Sequence, residues 1–220
     1  MSPPRIQAVV FDLDGLMFNT EELYAGVGHE LCRRRNQIYS KELAQKMMGR
    51  PSYISLQIMI DELQLADTMP KLLAESDEIF HEILKDGLAL MPGLLELLAR
   101  IEQRGLPTGI ATSSRRPYVE YVLSRFDLQP RFEFILSSED VTHGKPAPEI
   151  YHKAAERHRV NPAEMLVLED SENGCRAAVA AGAIAVAVPG EHNAGHTYPG
   201  VHFIAESLCD PRIAALLEND

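Results

Sequence analysis

The sequence is poor in cysteine. Its three cysteines, Cys32, Cys175 and Cys209, lie far apart in 220 residues, and no Cys-x-x-Cys pair occurs. An odd number of scattered cysteines does not suggest a disulfide framework. It indicates small buried thiols in a reducing compartment.

Positive charge is also scarce. The chain has 21 lysines and arginines against 32 acidic residues, a formal net charge of −11. Nucleic-acid-binding proteins carry a basic patch or stripe, so we expect no nucleic-acid partner. An anionic small molecule stays compatible with the sequence, because a local group of lysine, metal ion and backbone N–H groups can override the overall sign.

Long apolar runs are missing as well. None approaches the roughly 20 residues needed to span a membrane. The stretch MSPPRIQAVVFDLDG is a poor signal peptide, because its apolar run of about six residues soon meets acidic ones. We therefore expect a cytoplasmic protein with no membrane contact. We also expect a monomer.

The chain nevertheless has the means to build a core, since 45% of its residues are hydrophobic. Short apolar runs with the character of buried strands occur five times: QAVVFD, PTGIATS, FEFILSS, MLVLED and AIAVAVP. Stretches with helical spacing separate the last four of these runs. Strands alternating with helices predict an α/β fold with a parallel sheet covered on both faces.

The first two strands break this rhythm, because about ninety residues separate them, too many for one crossover connection. The intervening segment has helical patterning throughout. We interpret residues 17–88 as a helical domain inserted after the first strand, and residues 1–16 and 89–220 as the α/β core. The connecting segments MFNTEE and DGLALMPG are hinge candidates, with Asn19 and Thr20 in the first.

Polar motifs follow four of the predicted strands. They are Asp12-Leu13-Asp14-Gly15, Thr112-Ser113-Ser114, Gly144-Lys145-Pro146 and Glu169-Asp170-Ser171. Ligands of open α/β sheets bind at the carboxyl ends of the strands. Each motif alone is weak, but four in this order predict one shared site.

These motifs, in the forms FDLDGLMFNTEE, GIATSS, HGKPAPEIY and LVLEDSENGCRAAVAAG, resemble those of the haloacid dehalogenase-like hydrolase superfamily. The similarity is to the subgroup of β-phosphoglucomutase and phosphoglycolate phosphatase, and it covers nearly the whole chain. It implies a Rossmann-like, three-layer α/β core with five main strands in the order 3-2-1-4-5 and an inserted helical cap.

The residue types support phosphoryl-transfer chemistry independently. Asp12 fits as a nucleophile that forms an aspartyl-phosphate. Asp14 fits as the general acid for the leaving oxygen and then the base for water. Lys145 is a compact cation suited to a phosphoryl group, and the resemblance gives it the role of bridging Asp12 and the phosphate.

A Mg²⁺ ion held by carboxylates would offset the repulsion between the nucleophile and the phosphate. Asp12 is a candidate ligand, and the resemblance implies that Asp170 is another, with Glu169 supporting the ion directly or through water. The resemblance adds the backbone carbonyl of Asp14. Thr112 and the Ser113 N–H are candidates to bind phosphate oxygens at a helix N-terminus.

The segment that resembles a cap loop leaves the substrate open. β-Phosphoglucomutases carry G-x-S-R-x-x-S-L there, whereas this chain has GRPSYISL, with Ser52 at the arginine position. Ser55 matches the pattern, and Arg50 is either a substitute phosphate ligand or a solvated residue. Asn19 stands where the family usually has Asp, and we expect it to alter cap motion or specificity.

The predicted function is therefore a Mg²⁺-dependent phosphatase for a small phosphorylated metabolite, of the sugar phosphate or phosphoglycolate type. A β-phosphoglucomutase-type hexose-phosphate mutase is the alternative, and the loss of the arginine at position 52 disfavours it. A non-catalytic binding module is disfavoured because Asp12, Asp14, Thr112, Lys145 and Asp170 are all present.

Overall fold

A computed structural model describes residues 5–47, 52–190, 193 and 195–218 of the chain. The chain divides into two compact units. Met1–Phe18 together with Leu90–Asp220 form what we call the sheet unit, and Asn19–Ala89 form the helical unit. The sequence had indicated an insertion over residues 17–88.

The sheet unit is built on one six-stranded sheet with the order β3-β2-β1-β4-β5-β6. Its strands are β1 (Ala8–Phe11), β2 (Thr108–Ala111), β3 (Phe134–Leu136), β4 (Met165–Glu169), β5 (Ile184–Ala187) and β6 (Phe203–Ile204). All neighbouring strands are parallel. The predicted five-strand order is confirmed. The sequence missed β6, because two residues are too short to show a strand pattern.

Nine α-helices lie within the described residues. In the helical unit they are α1 (Thr20–Arg34), α2 (Lys41–Met47), α3 (Ser52–Leu63) and α4 (Met69–Gly87); in the sheet unit they are α5 (Leu94–Gln103), α6 (Arg116–Ser124), α7 (Glu149–His158), α8 (Glu172–Ala180) and α9 (Pro211–Leu217). None of these helices has the length and apolar character needed to cross a membrane.

Both faces of the sheet are buried at its central strand β1. All four residues of β1 are fully buried, and successive side chains of a strand point to opposite faces. Ala8 and Val10 pack with residues of α7 and α8. Phe11, on the other face, packs edge-to-face with Phe132 at a centroid distance of 6.0 Å.

The register brings the ends of the central strands to one level. Phe11 lies opposite Ile110 of β2 and Leu168 of β4. Because parallel strands end at the same edge of a sheet, residues that follow β1, β2 and β4 are neighbours there. The motifs that begin at Asp12, Thr112 and Glu169 are thus brought together by strand pairing alone.

The helical unit has its own apolar core. Val27 and Leu31 of α1 pack with Leu56 and Met59 of α3 and with Leu72 of α4. The first and last residues of the unit are joined through Asn19. The Asn19 amide nitrogen donates to the Gly87 carbonyl oxygen at 3.1 Å, and its amide oxygen accepts from the Ala89 N–H at 2.8 Å.

This contact gives a physical reason for asparagine at position 19. An amide offers both a donor and an acceptor, whereas a carboxylate only accepts. Asn19 precedes α1 without capping it through its side chain, since the amide is committed to Gly87 and Ala89. The backbone adds another contact between the two ends of the helical unit, because the Asn19 N–H donates to the Ala89 carbonyl at 3.2 Å.

We expect Asn19→Asp to lower the free energy of unfolding by about 1–3 kcal/mol at neutral pH, because a carboxylate would face the Gly87 carbonyl unpaired. Only a protonated Asp could donate there, so the folded state would raise the pKa of this Asp. The stability deficit should therefore shrink as pH falls towards that raised pKa. Chemical denaturation over a pH series measures the effect.

Gln37→Glu is the matched control, since it adds the same charge at an exposed position of the helical unit. Equal stabilities of the two variants at neutral pH would contradict a specific role for the Asn19 amide.

Candidate active site

Asp12 is the first residue after β1 and is only 7% exposed. Its backbone N–H donates to the Leu168 carbonyl at 3.0 Å, which continues the strand pairing by one residue. Its carboxylate oxygen Oδ1 lies 2.5 Å from Lys145 Nζ. Strand pairing thus places this carboxylate next to a buried cation.

Lys145 links the ends of three strands. It lies in the loop between β3 and α7, and its side chain is only 4% exposed. Nζ donates to Asp12 Oδ1 at 2.5 Å, to Glu169 Oε1 at 2.6 Å and to the Ala111 carbonyl at 2.9 Å. These partners use all three donors of an ammonium group. The ring of Tyr151 lies 5.1 Å away and adds a cation–π contact.

Glu169, the last residue of β4, has donors on both carboxylate oxygens. Oε1 accepts from Lys145 and from the Tyr151 hydroxyl at 2.8 Å. Oε2 accepts from the Ser171 N–H at 3.2 Å and from the Ser171 hydroxyl at 3.0 Å. The residue is fully buried, so these bonds are what make its carboxylate tolerable in the interior.

Asp170 follows Glu169 and is positioned by the loop after β5. The Asn193 amide donates to Asp170 Oδ2 and to its backbone carbonyl, both at 2.9 Å. The Tyr198 hydroxyl donates to the same carbonyl at 2.9 Å. These contacts fix the carboxylate beside the end of β4.

The three acids form a cluster that could hold a metal ion. Asp12, Glu169 and Asp170 are all buried, and one carboxylate oxygen of each lies within 4.8 Å of the others. Three buried carboxylates facing one ammonium leave an excess of negative charge. Hard oxygen ligands with this excess suit a divalent cation such as Mg²⁺.

The ionisation of the site reflects its burial first and its charges second. Burial raises the pKa of Asp12 to about 8, although the charge of Lys145 opposes the rise. Burial by itself would lower the pKa of Lys145, but the charges of Asp12 and Glu169 keep it well above the usual value. The lysine is therefore a permanent cation, and further positive charge would favour the ionised form of Asp12.

Asp14 lies at the same edge of the sheet, two residues beyond Asp12. Its Oδ2 accepts from the Ser114 hydroxyl at 2.5 Å and its Oδ1 from the Tyr118 hydroxyl at 2.9 Å. Gly15 follows with a φ of 75°, a left-handed conformation that suits glycine and lets the chain turn away from the strand.

The Thr112–Ser114 segment follows β2. Thr112 is 1% exposed, and its hydroxyl accepts from the Ser114 N–H at 3.0 Å. Ser113 between them is exposed. Asp12, Lys145, Glu169 and Asp170 thus converge at the edge of the sheet where Asp14 and the Thr112–Ser114 segment also lie.

The hinge candidate Thr20 and the substrate candidates Ser52 and Ser55 lie on helices of the helical unit. The Ser55 hydroxyl donates to the Met47 carbonyl at 2.8 Å, which ties α3 to the end of α2. Ser52 is the first residue of α3 and is exposed. Thr20, the first residue of α1, is fully buried. Arg50 lies outside the described residues.

No role was predicted from the sequence for several residues of the site. Tyr118, Tyr151, Asn193 and Tyr198 contact the acidic residues from helices and loops that join the site only in the folded chain. Gly174, one residue of the motif LEDSENGC, carries a steric requirement. A β-carbon there would collide with the Glu169 carboxylate.

Comparison with known proteins places the chain in a family. Residues 9–188 match the model of the haloacid dehalogenase-like hydrolase family. The chain is 32% identical over 181 residues to a phosphorylated carbohydrates phosphatase of Thermotoga maritima, covering 80% of this chain and 82% of that protein. It is 31% identical to hexitol phosphatase B of Escherichia coli, covering 86% of each chain.

A solved structure supports the same relationship. The fold superposes with a TM-score of 0.78 on a Thermotoga maritima protein assigned as a β-phosphoglucomutase, with 28% identity over 91% of this chain and 94% of that one. The chain belongs to the haloacid dehalogenase-like hydrolases, in their phosphoglucomutase- and phosphoglycolate phosphatase-like subgroup. It is an enzyme of the phosphatase class within this family.

We expect Gly174→Ala to destabilise the protein by about 1–3 kcal/mol or more, because α8 cannot move away from β4 without breaking buried packing. Displacement of Glu169 would also break its contact with Lys145, so activity should fall with stability. Thermal unfolding together with a phosphatase assay tests this.

Gly144→Ala is the matched control, because a β-carbon there meets no atom within 4 Å. If the two variants were equally stable and equally active, the close approach of α8 to Glu169 would be wrong.

Proposed function

We propose that the protein is a Mg²⁺-dependent phosphatase that hydrolyses a small phosphorylated metabolite through an aspartyl-phosphate on Asp12. The observation that carries the proposal is the position of Lys145 Nζ, 2.5 Å from Asp12 and 2.6 Å from Glu169 in a buried acidic cluster. An aspartate held at a strand end beside a permanent cation is a suitable nucleophile for an anionic phosphate.

The reaction has two steps. In the first, an Asp12 carboxylate oxygen bonds to phosphorus, the bond to the ester oxygen breaks, and the Asp14 carboxyl gives its proton to that oxygen. In the second, water attacks the phosphorus, Asp14 takes a proton from the water, and the bond to Asp12 breaks. Inorganic phosphate is released, and the free Asp12 carboxylate is regenerated.

In this proposal the Lys145 ammonium contacts both Asp12 and the phosphoryl group. The Thr112 and Ser113 segment, which precedes α6, binds the remaining phosphate oxygens. The first step places negative charge on the oxygens of the transferred group, and in this proposal these donors stabilise it.

We assign Asp12, Asp170 and the backbone carbonyl of Asp14 as the Mg²⁺ ligands. When bound, the ion would neutralise the cluster and offset the repulsion between carboxylate and phosphate. We assign Glu169 a supporting role, because four hydrogen bonds from Lys145, Tyr151 and Ser171 already satisfy its two oxygens.

The names of two relatives, a phosphorylated carbohydrates phosphatase and a hexitol phosphatase, favour a phosphorylated sugar or polyol as the substrate. We propose the helical unit as the substrate-selecting cap, as the family resemblance implies. A mutase must bind a second phosphate as well, and the arginine that serves this purpose in β-phosphoglucomutases is replaced by Ser52.

A panel of sugar, polyol and glycolate phosphate esters, assayed for released phosphate with and without EDTA, tests the proposal. We expect activity that EDTA abolishes and Mg²⁺ restores. Asp12→Asn should lower kcat/KM by at least about a thousand-fold, because the amide cannot act as the nucleophile. Glu120→Gln, which removes an exposed charge on α6, is the matched control and should retain full activity.

Metal-independent turnover, or an active Asp12→Asn variant, would refute the mechanism. β-Glucose 1-phosphate separates the phosphatase from the mutase. Formation of glucose 6-phosphate faster than free phosphate would overturn the phosphatase in favour of the mutase.

A further inference from the structure

Asp14 is held by two hydroxyl groups from one short segment. Ser114 Oγ donates to its Oδ2 at 2.5 Å, and the Tyr118 hydroxyl donates to its Oδ1 at 2.9 Å. Each carboxylate oxygen therefore has its own donor, and the two donors lie four residues apart. The sequence motifs suggested no role in this site for either residue.

The segment that carries these hydroxyls is itself firmly fixed. The Ser114 N–H donates to Thr112 Oγ1, and the Ser114 carbonyl accepts from the Ser138 N–H, both at 3.0 Å. Tyr118 lies in the first turn of α6, where its N–H donates to the Arg115 carbonyl at 3.1 Å.

Two further contacts hold α6 against β3 and the turn that follows it. Arg116 Nη2 donates to the Ile135 carbonyl at 3.0 Å and to Asp140 Oδ2 at 2.6 Å. Val119, next to Tyr118, is fully buried. The two hydroxyls are therefore fixed relative to β3, a strand of the sheet whose carboxyl edge Asp14 follows.

A carboxylate without such donors can rotate about both of its side-chain torsions. Two hydroxyls on opposite oxygens select one orientation, and one donor alone would leave the group freer. Proton transfer to a leaving oxygen needs the carboxyl within hydrogen-bond reach of that oxygen, so orientation of this group affects the rate directly.

From this geometry we infer that Tyr118 and Ser114 are positioning residues that orient the Asp14 carboxyl for proton transfer. The inference rests on the proposed function, in which Asp14 protonates the leaving oxygen. Both residues act through Asp14, and the proposal gives neither of them a contact with the reacting atoms.

This role predicts a dependence on the leaving group. A basic leaving oxygen needs a proton as its bond to phosphorus breaks, whereas 4-nitrophenolate leaves readily without one. A misplaced Asp14 should therefore slow phosphoryl transfer from alkyl and phenyl phosphates and spare 4-nitrophenyl phosphate. Loss of overall packing, or loss of a substrate contact, has no reason to follow the basicity of the leaving group.

The test is Tyr118→Phe, which removes only the hydroxyl, assayed as kcat/KM with phenyl phosphate, 4-nitrophenyl phosphate and glycerol phosphate. The parameter kcat/KM reports the steps up to transfer of phosphate to Asp12. We expect a loss of about tenfold with phenyl and glycerol phosphates, the effect of one lost hydrogen bond. With 4-nitrophenyl phosphate we expect less than about a twofold change.

Tyr121→Phe is the matched control. It removes a hydroxyl from the same helix, one that contacts Arg125 at 3.2 Å, and should leave all three values unchanged. Ser114→Ala removes the other donor and should reproduce the selective loss. It decides the question if Tyr118→Phe does not fold, as judged by circular dichroism. Asp14→Asn should show the same pattern with a larger loss.

An equal loss on all three esters, or no loss, in a folded Tyr118→Phe or Ser114→Ala variant would overturn the inference. If wild type is active and Asp12→Asn is not, such a result refutes the inference alone. A wild-type protein with no activity on any of the three esters would refute the proposed function and this inference with it.

Discussion

The arrangement of the site depends on one ammonium group buried among carboxylates. Lys145 Nζ uses its three donors on the ends of β1, β2 and β4, through Asp12, the Ala111 carbonyl and Glu169. Removing any of these charges from water is costly unless it is paired and hydrogen-bonded. The surrounding residues can be understood as meeting that condition. Tyr151 and Ser171 satisfy Glu169, and Asn193 and Tyr198 fix Asp170.

The same constraint connects stability to chemistry. A site with three buried carboxylates and one lysine has too little positive charge of its own. Burial raises the pKa of Asp12, and the neighbouring carboxylates add to the rise. A divalent cation and an approaching phosphate both fit a site with this imbalance. The cation would supply the missing charge, while Lys145 remains a fixed donor for the phosphoryl group. The close packing of Gly174 against Glu169 leaves little freedom to rearrange the cluster.

Much of the fold could be predicted because its signals are local and repetitive. Apolar runs of four or five residues, with helical spacing between them, predicted the five main strands. The order of these strands came from the family resemblance. The strand β6 was missed, since two residues carry no periodicity. The acids and the lysine could be predicted from motifs next to strands. Tyr118, Asn193 and Tyr198 could not, because nothing in their neighbouring sequence distinguishes them from ordinary polar residues.

Asn19 illustrates the difference between what the sequence determines and what only the tertiary structure decides. From the sequence it was a departure from a family pattern without a cause, and only the folded chain places Gly87 and Ala89 beside its amide. The sequence by itself determined the parallel sheet and the residue types at its carboxyl edge, because periodicity and strand-end motifs are local properties. The tertiary structure decided which donors satisfy each carboxylate, because those donors lie up to 133 residues away in the chain and meet their partners only through packing.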